Sequence, residues 1–269
     1  MHLPVGFFIY QQPHHLTTLL MDSARYMLLA FLAVPHAALA TPPESSSAEA
    51  PCADTALVHR LLEKDLGSRR FDFATIARAN SGKDVIPLDR ENDVHQLLLK
   101  HIESALAKTI REQNQDDAPV RQLRRINEAS RFFEASLMEK LDAIDGLTCT
   151  PAPTVAGHFQ RSGYPDLRLV HDASGTVFYV DPKLVQQGSE TSTFRTFYYE
   201  PKTDTLKITD DAVHLILGIE HDGKARQWTF LGWRVSCLAN LSVRLKAEFQ
   251  ASNADLYDDC ELSIPGESP

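Results

Sequence analysis

Positive charge is in short supply in this sequence. Only 27 Lys and Arg stand against 36 Asp and Glu, a formal charge of -9, which argues against a protein that coats DNA or anionic lipid by bulk electrostatics and leaves room only for a local basic site. Cysteine is scarce as well: four in 269 residues do not make a disulfide-dense miniprotein, and the fold needs a core of its own. No self-similarity at a period of about 20–50 residues is visible, which removes solenoids and propellers. HExxH, CxxC, GxSxG and a Gly-rich phosphate loop are all absent, so zinc-protease, thioredoxin-like, serine-hydrolase and mononucleotide-cradle chemistries have no foothold. His158, His171, His214 and His221 are scattered without ligand spacing and read as surface or satisfied polar histidines.

A hydrophobic content of 43% is present to build that core, and it excludes disorder of the whole chain. The first 40 residues read as an address. Tyr26 to Val34 is an apolar run preceded by Arg25 and followed by HAALA, with Ala38 and Ala40 in an A-x-A arrangement, the pattern of a secretory signal peptide cut after Ala40. The run is too short to cross about 30 Å of hydrocarbon, so no stable membrane span is expected after cleavage, and the mature protein is expected to be secreted or periplasmic. Met21 stands directly before this segment, which makes residues 1–20 candidates for a mis-chosen translation start. Residues 41–54, rich in Pro and Ser, read as a linker. Cys52, Cys149, Cys237 and Cys260 all survive cleavage, and an oxidising compartment would allow three pairings among them.

Periodicity divides the rest into a helical region (55–119), an α+β core (120–262) and a short tail (263–269). Residues 55–78 suggest one or two short helices with a break at Gly67. Asp93 to Glu112 carries Val94, Leu97, Leu98, Ile102, Leu106 and Ile110 at three-and-four spacing, which predicts a helix. Val120 to Ile144 repeats Leu123, Ile126, Phe133, Leu137 and Leu141 and predicts a second long helix closed by Gly146. Beyond Cys149 the chain becomes strand-rich. Leu167–His171 and Thr176–Leu184 flank DASG as a hairpin, Phe194–Tyr199 is a third β-prone stretch, and Val213–Glu220 and Gln227–Cys237 flank HDGK, an Asp-Gly hairpin signal. Leu241 to Tyr257 returns to helical spacing. This order predicts an α+β fold, N-terminal helices followed by a mixed or antiparallel sheet with a C-terminal helix.

The first hairpin carries the chemistry. Asp166 opens its first strand, while Asp181 and Lys183 lie two apart near the end of the second and so share a face of an extended chain. Two carboxylates and an ammonium at one place suit a hard divalent cation, Mg²⁺ or Mn²⁺. Such an ion polarises a phosphoryl oxygen and lowers the pKa of a bound water, with the lysine orienting that water or stabilising developing charge. Phosphodiester hydrolysis is the natural assignment.

At these residues the chain resembles the PD-(D/E)xK nuclease superfamily, whose pattern is Pro-Asp, a hairpin, then an acid, any residue and lysine. Pro165-Asp166 and Asp181-Pro182-Lys183 match it in type, order and separation, and the resemblance covers roughly residues 120–257. It implies a restriction-endonuclease-like core, nucleic acid as the substrate, Asp166 and Asp181 as metal ligands, and Lys183 as water-orienting base or charge stabiliser. Pro182 departs from the usual aliphatic residue and, lacking a ladder donor, predicts Lys183 at a strand end. The upstream acid follows from helical geometry: at about 100° per residue, Glu134 falls at the edge of the apolar stripe and Glu128 on the far side, so Glu134 is the candidate third carboxylate and metal ligand. Arg121, Arg124, Arg125 and Arg131 form a basic run on the same predicted helix, and Arg195 among the aromatics of TFRTFYYEP is a candidate substrate contact by charge and stacking.

Two readings follow: an exported, metal-dependent, nuclease-like phosphodiester hydrolase, or a non-catalytic envelope or secreted binding domain on an α+β fold. Nucleic-acid type, specificity and oligomeric state are left open by the sequence.

Overall fold

The computed structural model describes residues 53–193, 196–246, 248, 250 and 252. The leader, nearly all of the linker, Cys52, Arg195, Cys260 and the tail lie outside the described residues. In chain order the elements are α1 (Ala53–Glu63), β1 (Arg70–Asp72), α2 (Phe73–Ser81), β2 (Val85–Ile86), α3 (Asp93–Gln113), α4 (Ser130–Asp142), β3 (Leu147–Pro151), β4 (Leu167–His171), β5 (Thr176–Gln186), β6 (Ala212–His221), β7 (Phe230–Cys237) and β8 (Ser242–Arg244). Among the described residues no helix is long and apolar enough to cross a membrane.

The fold is α+β around a mixed six-stranded sheet. Its path runs β2-β6-β5-β4-β3, with β7 also paired to β6. β3, β4 and β5 are antiparallel neighbours, β5 and β6 run parallel, and β6 and β7 are antiparallel. Side chains alternate across this sheet as the two-residue period of a strand requires. Phe178 and Val180 of β5, with Leu215 and Leu217 of β6, pack in the main core, whereas Tyr179 joins a second cluster with Phe73 and Tyr164 on the other face. α3 and α4 cover the first face through Leu98, Ile102, Leu106, Phe133, Leu137 and Leu141, all with no exposed surface. Each such side chain contributes about 1.5–3 kcal/mol by leaving water. Asn92 caps α3, its side-chain carbonyl accepting from the Val94 and His95 amides at 3.0 and 3.1 Å, which satisfies two of the free donors of the first turn.

Several expectations need correction. The helix predicted over 120–144 is α-helical only as α4; before it lie two short 3-10 turns, Pro119–Gln122 and Ile126–Glu128. Between them the Leu123 carbonyl accepts from Trp228 Nε1 (2.7 Å) and the Arg226 amide (3.2 Å), and so is unavailable to a helical ladder. Arg121, Arg124 and Arg125 therefore form no helical basic face, and Arg131 alone of that run lies on α4. The stretch 55–78 holds strand β1 between two helices, and α1 begins inside the predicted linker. Residues 196–199 form no strand; Phe197 and Tyr199 pack against the second cluster instead. Leu241 does not open a helix, because Ser242–Arg244 pairs as a strand with β1, with Val243 opposite Phe71. Most residues beyond 246 lie outside the described set. The β6–β7 hairpin exists, but eight residues (222–229) connect its strands. Asp222 organises that loop by accepting from the amides of Lys224 and Thr229. β3 went unread in the sequence. Cys149 and Cys237 are free thiols, Cys149 buried in β3.

Candidate active site

The β4–β5 hairpin places the motif. Its ladder runs from His171↔Thr176 to Leu167↔Val180, and one more step of that register brings Asp166 opposite Asp181. Gly175, at φ +68, closes the turn in the left-handed region that favours glycine. Pro182 sits inside β5, not at its end. The strand continues to Gln186 through parallel pairing with β6, and the β4 partner stops at Leu167, so the missing amide falls beyond the antiparallel ladder. Lys183 is consequently held within a strand. Its β6 partner is Gly218, so no side chain stands beside it on that neighbour.

The three motif groups converge. Lys183 Nζ pairs with Asp181 Oδ2 and lies 3.5 Å from Asp166 Oδ2. Asp181 is 1% exposed, and burial, reinforced by the charge of Asp166, pushes its carboxyl up to about 8. Burial works against the Lys183 ammonium, but the two acids outweigh it and hold its pKa above the ordinary value. Glu134 reaches the same place from α4: it lines a cleft of about 650 Å³ with Asp166, Asp181 and Lys183, and a second of about 700 Å³ with Asp166. Burial first, then the Asp166 charge, raises its pKa. Arg161 lines both clefts, and Tyr198 lines the smaller.

Among the described residues no three His, Cys, Asp or Glu side chains form a ready-made metal cluster. The donor chemistry nonetheless fits a hard cation. Asp166 and Asp181 offer carboxylate oxygens to one point, and the positive charge between them is the Lys183 ammonium. Three acids, Asp181 buried and Asp166 and Glu134 half-buried, with Lys183 the ammonium paired to Asp166 and Asp181, make an electrostatic environment that a divalent ion would relieve.

The sequence reading missed Lys207 and took His214 for a surface or satisfied polar histidine. Lys207 is 2% exposed and donates to the carbonyls of Gly163 (3.0 Å) and Pro165 (3.2 Å), just ahead of Asp166. Its signal was available: it interrupts the apolar run Leu206, Ile208. His214 is buried beneath the site, with Nδ1 bonded to the Tyr164 hydroxyl at 2.8 Å and Nε2 unpartnered. Burial lowers its pKa to about 3, so it is neutral.

A mixed sheet flanked by helices, with Pro-Asp just ahead of β4 and Asp-x-Lys inside the neighbouring β5, places the chain in the PD-(D/E)xK nuclease superfamily with its restriction-endonuclease-like core. More narrowly, residues 66–260 match the type II restriction enzyme MjaV family, and the chain belongs to that family. It is similar to the type II restriction enzyme MjaV of Methanocaldococcus jannaschii, 28% identical over 198 residues that cover 70% of this chain and 85% of that protein. The family match begins upstream of the 120–257 resemblance and takes in α2, β2 and α3.

Proposed function

We propose that the protein is a metal-dependent DNA endonuclease whose reaction centre is Asp166, Asp181 and Lys183, with Glu134 as the third acid. The observation that carries this reading is the convergence of the two carboxylates on the Lys183 ammonium at a cleft; membership of a restriction-enzyme family supports DNA as substrate. Mg²⁺ or Mn²⁺ bound by the carboxylates would supply Lewis acidity at the phosphoryl oxygen and a bound water of lowered pKa. Asp166 and Asp181 would hold that ion, and Glu134, with its raised pKa, is placed to take or hold a proton at the cleft. Lys183, bound among the described residues by the acids, would turn its donors to the attacking water or the developing phosphorane charge. The shortage of basic charge fits a protein that binds DNA at a local site rather than over its whole surface.

Incubation of purified protein with supercoiled and linear duplex DNA tests this. Discrete fragments in Mg²⁺, their absence in EDTA, and their loss in Asp166→Ala and Lys183→Ala are expected. Fragments that persist in both variants would remove these residues from the reaction. Export is a separate proposal that rests on the 26–40 segment, upstream of the family match; it expects the mature chain to start near Thr41, and amino-terminal sequencing that finds Met1 or Met21 overturns it.

A further inference from the structure

Asp166 stands one residue outside the last β4 pair, Pro151↔Leu167, and its carbonyl accepts from the Ala152 amide at 3.0 Å. Its backbone is thus tied on the β3 side. On the other side the chain arrives through Arg161, Ser162 and Gly163, all exposed, and no ladder holds them. Two ties hold that side: the Tyr164 hydroxyl on His214 Nδ1 at 2.8 Å and, on the backbone itself, Lys207. Its ammonium donates to the carbonyls of Gly163 and Pro165, bracketing Tyr164, whose ring is itself buried against Phe73 and His214. Neighbouring Leu206 accepts from the Val155 amide at 2.8 Å, so the segment before β6 clasps the β3–β4 connection at two points.

Lysine is a costly choice for such a clasp. A buried ammonium loses its hydration, and burial lowers the Lys207 pKa while Asp166, Asp181 and Glu134 oppose that shift. A neutral apolar residue would fill the space, and it would leave the buried Pro165 carbonyl and the Gly163 carbonyl without this donor and the acid cluster without its second cation.

We propose that Lys207 is a positioning residue of this site: by fixing the Gly163 and Pro165 carbonyls it holds Asp166 facing Asp181, and without it the two carboxylates do not present a joint cation site. The inference rests on the metal-dependent reading above and extends it to a residue behind Asp166, at the wall of the larger cleft. It acts as a support behind a ligand, a role whose loss costs about 10–100-fold in metal affinity or activity.

The test is Mn²⁺ calorimetry on the full chain without DNA, combined with kcat and KM for duplex cleavage, circular dichroism and thermal melts. Lys207→Met, which keeps an unbranched stem and removes the ammonium, is expected to lose about tenfold or more in both Mn²⁺ affinity and kcat, with KM for DNA little changed, and Lys207→Arg to recover most of both losses. A purely structural lysine would lower the melting temperature and leave Mn²⁺ affinity and kcat per folded molecule unmoved, and that result overturns the proposal. Should Lys207→Met not fold, Lys207→Gln decides. One bond shorter and uncharged, it reaches the carbonyls only if the segment shifts, so a loss of about threefold or more supports the role and wild-type behaviour overturns it. Wild-type protein that neither binds Mn²⁺ nor cleaves DNA overturns both this inference and the nuclease reading. Wild-type that does both, beside an equal Lys207→Met, overturns this inference alone.

Discussion

Arg168 of β4 and Tyr179 of β5 face each other in register, and Asp210 joins them: Arg168 donates twice to its carboxylate at 2.8 Å, and the Tyr179 hydroxyl donates to it at 2.7 Å. Two residues on, one step past the end of β4 and along β5, Asp166 and Asp181 face each other around Lys183. The two sites use the same ingredients and reach opposite states. Asp210 has a bidentate guanidinium and two hydroxyl donors, and these hold its carboxyl down at about 2. Asp181 is buried beside another acid with one shared ammonium and is pushed up to about 8. Protein structure alone satisfies the first cluster; the second is left short of positive charge where a cleft opens, and this is the electrostatic signature of a site made for something else.

Activity should separate the two clusters most sharply. Asp181→Ala and Lys183→Ala are expected to lower DNA cleavage by at least about a hundredfold, whereas Asp210→Asn retains most of its rate per folded molecule; equal losses in a steady-state assay would break the contrast.

The pH dependence of metal-free stability comes next. Asp181 has a folded pKa above its unfolded one, so its contribution is present in full below about 4 and is lost as pH rises through about 8. Urea midpoints should fall across that range in the wild type and stay flatter in Asp181→Asn. Asp210 has the opposite sign, its stabilisation being present above about 4 and lost as pH falls towards 2. Asp210→Asn should cost about 1–3 kcal/mol at neutral pH, and denaturant curves at pH 7 and pH 3 check both size and direction. The smallest effect belongs to an exposed pair: Arg78–Asp84, with side chains 71% and 49% accessible, should contribute less than about 0.5 kcal/mol in a double-mutant cycle.

Legibility in the sequence follows this same division. The motif was readable because DASG makes the β4–β5 hairpin local, so a short register places Asp166, Asp181 and Lys183 together. α3 was readable because one stripe faces one core. Glu134 was placed by helical angle alone, and α4 does carry it to the cleft. What failed was decided at a distance. The parallel β5–β6 pairing joins segments whose partners sit 35 residues apart, from Phe178↔Val213 to Gln186↔His221, and no local pattern announces it. The break at Leu123 depends on Trp228, and the strand at Ser242–Arg244 depends on β1. Asp210 and Lys207, both in the irregular segment before β6, gained their partners only through that tertiary closure.

Calorimetric titration of Mn²⁺ into metal-free wild type, Asp181→Asn and Asp210→Asn, repeated in buffers of different ionisation enthalpy, tests the difference between the two clusters most directly. Binding to the wild type and to Asp210→Asn, proton release near pH 7 as the ion displaces the Asp181 proton, and no binding to folded Asp181→Asn are the expected results. Equal Mn²⁺ binding by Asp181→Asn and the wild type would contradict the account.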